Sequence, residues 1–296
     1  MSHRQATTEL TLRPMTDSDV STVLALNAAD VKALSPLDCE RLALLRRRSA
    51  HALIAEVTGD VAGFVLTFAV GRSFGALQAL HDFSLTIAPG QCVALIGANG
   101  SGKSTAVRTL AGLLEPSAGD VRVEGFDPHS EPEAEHARAR LALVPDNPLL
   151  YDDLTVREHL ELVSVAHALG GSELAERIDA LLDRLGLAHR SEFRPPELSR
   201  GMRQKTQLAC ALVRPAALLL LDEPVVGLDP PSQTLLHELL LERKQAGGAI
   251  LLTTHQLGFA EGLADRGMLL SEGEVADSGS YADVAADAAA SGWATG

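Results

Sequence analysis

The stretch "GQCVALIGANGSGKSTAVRTLAGLL", Gly90 to Leu114, decides the fold. The apolar run Cys92 to Ile96 reads as a buried strand, and "STAVRTLAGLL" reads as a helix. Between them "GANGSGKST", Gly97 to Thr105, matches the spacing G-x-x-x-x-G-K-[ST] in full. Glycines at 97, 100 and 102 let the backbone turn its N–H groups inward around phosphate oxygens. Lys103 then reaches the terminal phosphates, and the hydroxyl of Ser104 ligates Mg²⁺. A chance glycine-rich turn would not bring the strand and the helix with it. The chain is expected to bind a nucleoside triphosphate.

Four further stretches narrow the chemistry. "LLLLDEP", Leu218 to Pro224, is an apolar strand ending in two carboxylates. Placed beside the phosphate loop, Asp222 holds Mg²⁺ through water and Glu223 polarises an attacking water. The blander reading of an isolated Asp-Glu-Pro is an acidic helix start, which fits less well after so apolar a strand. "ELSRGMRQK" offers Ser199 and a glycine-supported helix start after Pro195-Pro196, a second anion site that is weak by itself. "VVGLDP" adds an Asp turn, and "LLTTHQ" puts His255 at a strand end. A lone His there is more often incidental than catalytic.

Strands alternating with helices after about residue 70 imply a parallel α/β sheet. "DVRVEGFDP" reads as a strand with a turn, a mostly helical block runs from about Leu154 to Arg214, and "GGAILLTTHQL" is another buried strand. The Ala-rich end, residues 281–296, is expected to fray.

Charge and composition exclude some classes. A formal charge of −14 argues against sequence-independent binding to nucleic acid or anionic lipid. Cys39, Cys92 and Cys210 form no C-x-x-C pair, so neither a zinc site nor a disulfide framework is expected, and a reduced, cytosolic chain fits. No signal peptide is expected at the N-terminus, and no apolar run is long enough to span a bilayer, so work at a membrane would go through a partner.

Taken in this order, the motifs over residues 66–280 resemble the ATP-binding subunit of an ABC transporter. The resemblance implies an ABC-type P-loop NTPase fold: a mixed α/β sheet core with a helical subdomain at about 146–214. It makes Gly97, Asn99, Gly100, Ser101, Gly102, Lys103, Ser104 and Thr105 the Walker A loop and Leu218–Asp222 the Walker B strand. Glu223 becomes the catalytic carboxylate, "LSRGM" with Ser199 and Gly201 the signature, Asp229 the D-loop aspartate and His255 the switch histidine. Phe74, 29 residues before Lys103, stands where the family stacks an aromatic ring on adenine. The resemblance further implies ATP and Mg²⁺ as ligands and a head-to-tail homodimer or paired ATPase subunit. Ser199 and Gly201 of one chain would face the Walker A loop of the other. A separate integral-membrane permease would be the partner, holding the cytoplasmic chain peripherally on the inner face of the cell membrane, with transport of efflux type.

Two departures stand out. Asp146 occupies the position where the family carries Gln; its oxygens still ligate a cation, but it adds negative charge near the phosphates. The signature reads "LSRGM" where "LSGGQ" is the common form. Non-transport relatives carry long insertions or paired cassettes that this chain lacks, which favours transport over a soluble regulatory or assembly ATPase.

Residues 1–65 read as strand, helix, helix and hairpin, the hairpin turning at Gly59-Asp60. With "LRPMTDSDV" at its head, this layout resembles the N-terminal half of a GNAT-type acetyltransferase. "RSFGAL" puts Leu77 where that family's pyrophosphate loop needs Gly or Ala. The small α+β segment is therefore expected to be non-catalytic, and acyl-CoA-dependent transfer is the least favoured reading. The run from Phe64 to Phe74 is claimed by both halves. Alternation of Leu66, Phe68 and Val70 assigns it, from Phe64 or Leu66 onward, to the nucleotide-binding half.

Overall fold

The apolar runs around the phosphate loop pair as expected. In the computed structural model, which describes residues 10–29, 39, 42, 51–57, 60–67, 69–74, 77–171 and 173–290, they form one six-stranded sheet. Its strands are β6 (Cys92–Ile96), β7 (Leu141–Val144), β8 (Leu218–Asp222), β9 (Ala249–Thr254), β10 (Arg266–Ser271) and β11 (Glu274–Ser280), in the order β11-β10-β6-β9-β8-β7. All neighbours are parallel except β10 and β11, which form an antiparallel edge.

Such strands are apolar along their whole length because both faces are covered. Cys92, Ala94, Ile96, Leu219, Leu221, Ile250 and Leu252 lie in one core cluster, and Val93, Leu95, Leu220 and Leu251 in the other. The first cluster is closed by α6 (Arg200–Leu212), α7 (Pro230–Gln245), α8 (Leu257–Ala260) and α9 (Tyr281–Ala290); the second by α2 (Lys103–Leu110) and α3 (Glu133–Arg140). Burying a Leu or Ile of this kind is worth about 1.5–3 kcal/mol. The helical block is α4 (Val156–Ala166), α5 (Glu173–Arg184) and the start of α6, with a core of its own around Leu160, Ile178, Leu182 and Leu198.

Three local expectations change. "DVRVEGFDP" is not a strand but one isolated bridge, Val123 to Phe126, closed by Glu124 and Gly125 at positive φ. So tight a reversal leaves no ladder to extend. The Ala-rich end is helical as far as Ala290, since Tyr281, Val284 and Ala288 bury against β10 and β11; residues 291–296 lie outside the described residues. The disputed run divides instead of going to one side. β3 (Asp60–Thr67) pairs with β2 (His51–Val57), which pairs with β1 (Leu10–Pro14), so Phe64 faces Ile54 and Leu66 faces Ala52. β4 (Ala69–Phe74) pairs with β5 (Leu77–Ser84), Val70 facing Phe83. One strand offers one pair of hydrogen-bonding edges, and here each segment is held by its own sequence neighbour.

The β1-β2-β3 sheet carries α1 (Val20–Ala29), entered through a Thr16–Asp19 capping box, and Arg13 pairs with Asp19 at 2.7 Å. Met15, Val23 and Leu42 form its small core. Most of the second expected helix and the Gly59 turn lie outside the described residues. Cys39, Cys92 and Cys210 are free thiols, and burial pushes those of Cys92 and Cys210 up to about 12. Among the described residues no helix is long and apolar enough to cross a membrane.

Candidate active site

Strand register brings the expected residues to one edge of the sheet. Ile96 pairs with Thr254, and Asp222 with Thr253, so the loop after β6 and the carboxylates after β8 leave the sheet side by side. Gly102 takes φ +108°, and a Cβ there would lie 2.7 Å from the carbonyl oxygen of Ala79. Glycine is required for both reasons. Asn99 and Gly100 are exposed at the loop tip, Gly97 and Ser101 are buried, and Ser104 and Thr105 sit in the first turn of α2. That turn points its free N–H groups at the loop.

Lys103 is buried, and its Nζ donates to the carbonyls of Gly97 at 2.7 Å and Ala98 at 3.0 Å. Desolvation lowers its pKa, opposed by the charges of Glu223 and Asp222. Its ammonium is thus stored among neutral carbonyls, and exchange for charged phosphate oxygens gains charge-assisted bonds.

Glu223 forms the facing wall at φ +50°, uncommon for a residue with a side chain. Its N–H is held by Thr253, through Oγ1 at 3.0 Å and the carbonyl at 3.2 Å. The same Thr253 hydroxyl donates to Asp222 Oδ1 at 2.7 Å. His255 Nδ1 donates to Glu223 Oε2 at 2.8 Å; a carboxylate only accepts, so the proton is on Nδ1. Glu223 Oε1 is buried without a hydrogen-bond partner, with the charge of Lys103 Nζ 3.9 Å away. Ser101 Oγ is likewise unpartnered. Buried polar atoms are normally satisfied, and of the three orphans among the described residues two, Ser101 Oγ and Glu223 Oε1, belong to the phosphate loop and to the residue after β8.

Asp146 lies just past β7, one strand beyond Asp222, and accepts from Asn147 Nδ2 at 2.9 Å. Ser104, Asp222 and Asp146, the residues expected to ligate a cation, offer oxygen atoms only. Among the described residues no three His, Cys, Asp or Glu side chains gather as a complete metal cage.

The other expected residues carry intrachain duties that sequence spacing did not reveal. Ser199 caps α6, accepting from the Met202 N–H at 3.2 Å. Asp229 caps α7, accepting from the Ser232 N–H at 3.2 Å. The Ser232 hydroxyl first, with this backbone bond beside it, holds the Asp229 carboxyl below the usual range. A Cβ on Gly201 would lie 2.8 Å from the carbonyl oxygen of Gly227, so the signature helix packs against the Asp229 turn. Phe74 ends β4 opposite Leu77; its ring lies outside the described side chains. Two residues were missed, Thr253 and Gln204. Gln204 is buried and donates from Nε2 to the Pro224 carbonyl at 3.2 Å, joining α6 to the loop after Glu223.

The ABC transporter family model matches residues 80–226. The ABC-type transporter ATP-binding protein EcsA of Bacillus subtilis (strain 168) is 37% identical over 69% of this chain and 82% of its own length. The chain belongs to the ATP-binding subunits of ABC transporters. The SkfA peptide export ATP-binding protein SkfE of the same organism is 38% identical over 67% of this chain and 81% of its own. Among solved structures, an ATP-binding subunit of an ABC transporter superposes with a TM-score of 0.70 at 34% identity, covering 78% of this chain and 94% of that one. A dimeric ATP-binding cassette in a post-hydrolysis state with ADP and phosphate gives 0.66 at 25% identity, covering 72% and 96%. This ABC ATPase therefore binds and hydrolyses ATP in the service of transport across a membrane, the general arrangement being a dimer that works with a permease.

Proposed function

We propose that this ABC ATPase energises export through a separate integral-membrane permease on the inner face of the cell membrane, and that Glu223 is its general base. The observation that carries the second half is the bare, buried Oε1 of Glu223 facing Lys103. Water held at Oε1 gives up a proton to the carboxylate as its oxygen attacks the γ-phosphorus, and the bond to the ADP oxygen breaks. His255 keeps the carboxylate aimed through Oε2. Lys103 leaves the Gly97 and Ala98 carbonyls for the terminal phosphates, while the loop and α2 N–H groups hold the remaining oxygens. Oxygens of Ser104, Asp222 and Asp146 would hold Mg²⁺, which would supply neutralisation of phosphate charge.

Export, as opposed to uptake, is supported by the named role of SkfE. Ser199, Gly201 and Asp229 are assigned to the nucleotide of the opposite protomer, and Phe74 to the adenine. The strand, helix and hairpin order of residues 10–67 supports a GNAT-like fragment that performs no acetyl transfer, with the nucleotide-binding unit beginning near Ala69.

Affinity capture of the chain from its own cells tests the partner. A polytopic protein is expected to co-purify and to raise ATP turnover. Recovery of an active ATPase with no membrane protein would favour the soluble regulatory reading.

A further inference from the structure

On the opposite edge of the sheet, where β7 and β8 begin, a cavity of about 400 Å³ opens between the end of α3, the end of α4 and the segment leading into β8. Arg138, His167, Arg214 and Glu135 line it. Arg214 is only 6% exposed. Its guanidinium donates to the ring of His167 and, at 3.4 Å, to the carbonyl of Arg138. Among the described residues no carboxylate lies within ion-pair distance of it.

Glu135 lines the same cavity but does not come within ion-pair distance of Arg214. Arg243, whose guanidinium binds the Ala216 carbonyl, is the neighbouring charge that acts on Arg214. Burial and this cation together bring the Arg214 pKa down to about 10, and the same burial, with Arg214 beside it, lowers that of His167. Arg138 is already paired, with Glu131 at 3.0 Å. A buried guanidinium without an anion is costly, since desolvation is repaid only when a counter-charge is present. A net charge of −14 makes this concentration of cations more notable.

We propose that the cavity is a binding site for a small oxyanion, a carboxylate or phosphate group held bidentately by Arg214 with His167 and Arg138 at its rim. The planar fork of Arg suits such groups, and the volume admits a small metabolite. The site joins the core helix α3, the helical block through α4, and the α6–β8 connection. An anion there would brace these parts against one another on the side away from the nucleotide.

Thermal unfolding of the full chain tests this, with ADP saturating the phosphate loop and ionic strength held constant with chloride. Inorganic phosphate and acetate are titrated separately. A saturable rise in Tm is expected, about 3 °C at ten times Kd, and Arg214→Met should abolish it. Saturation by acetate alone would assign a carboxylate ligand, and by phosphate alone a phosphate ligand. A non-saturating rise, or one of equal size in Arg214→Met, would overturn the proposal, because phosphate also stabilises by exclusion from protein surfaces. Should Arg214→Met not fold, the half-exposed Arg138→Met serves instead. It is expected to weaken the response several-fold, and an unaltered response would overturn the site.

Discussion

Glu223 owes its position to a residue with no catalytic group. Its positive φ is a strained conformation held by Thr253, whose hydroxyl accepts from the Glu223 N–H and donates to Asp222. Thr253→Val keeps the shape and removes both bonds. It is expected to cost about 1–3 kcal/mol and to lower ATP turnover more than ATP binding, as checked by chemical denaturation beside steady-state kinetics. Lys103, Asp222 and Glu223 were legible in the sequence because their chemistry is local to a motif. Thr253 was not, although "LLTTHQ" contains it: its importance lies in which strand stands beside β8, and neighbouring strands are 31 residues apart in sequence at this contact. For Ser199 and Asp229 the residue type was legible but the helix-capping duty was not assigned, because the Ser199 helix start reads as an anion site and Asp229 as a turn residue.

At the scale of elements, the signature helix α6 is tied to the site from within its own chain. Gly201 closes on Gly227, and Gln204 reaches Pro224 beside Glu223. These two contacts join α6 to the loop that follows Glu223, the proposed general base. Gly201→Ala forces two backbones apart; the expected loss is about 1–3 kcal/mol, with weakened ATPase, measured by denaturation and turnover. Unchanged stability would show that the contact yields freely. The division of the run from Phe64 to Phe74 also belongs here. Alternation of apolar residues runs on through both strands, so period alone could not tell that residues up to Thr67 pair with β2 and those from Ala69 with β5. A chain beginning at Ala69 is expected to fold and to hydrolyse ATP at a rate close to that of the full chain. Loss of folding in that chain would mean that the β1-β2-β3 sheet completes the core.

Over the whole molecule, the parallel sheet was legible because full burial of both faces leaves long apolar runs, and the loop motif fixed which edge is functional. The helical end at Tyr281–Ala290 was misjudged because alanine-rich sequence looks weakly amphipathic until β10 and β11 supply a surface for Tyr281 and Val284. The same architecture puts chemistry at one edge and the unpaired Arg214 at the other. The central claim is that a nucleotide bound by the Gly97–Thr105 loop is hydrolysed by water activated at Glu223. Mg²⁺-dependent phosphate release by the full chain and by Glu223→Gln, with ATP affinity measured on both, tests it most directly. The wild type is expected to turn over with Mg²⁺ and to stop on chelation. Glu223→Gln should bind ATP with similar affinity and release phosphate about 10²–10⁴-fold more slowly. Release at the wild-type rate from Glu223→Gln would contradict the account.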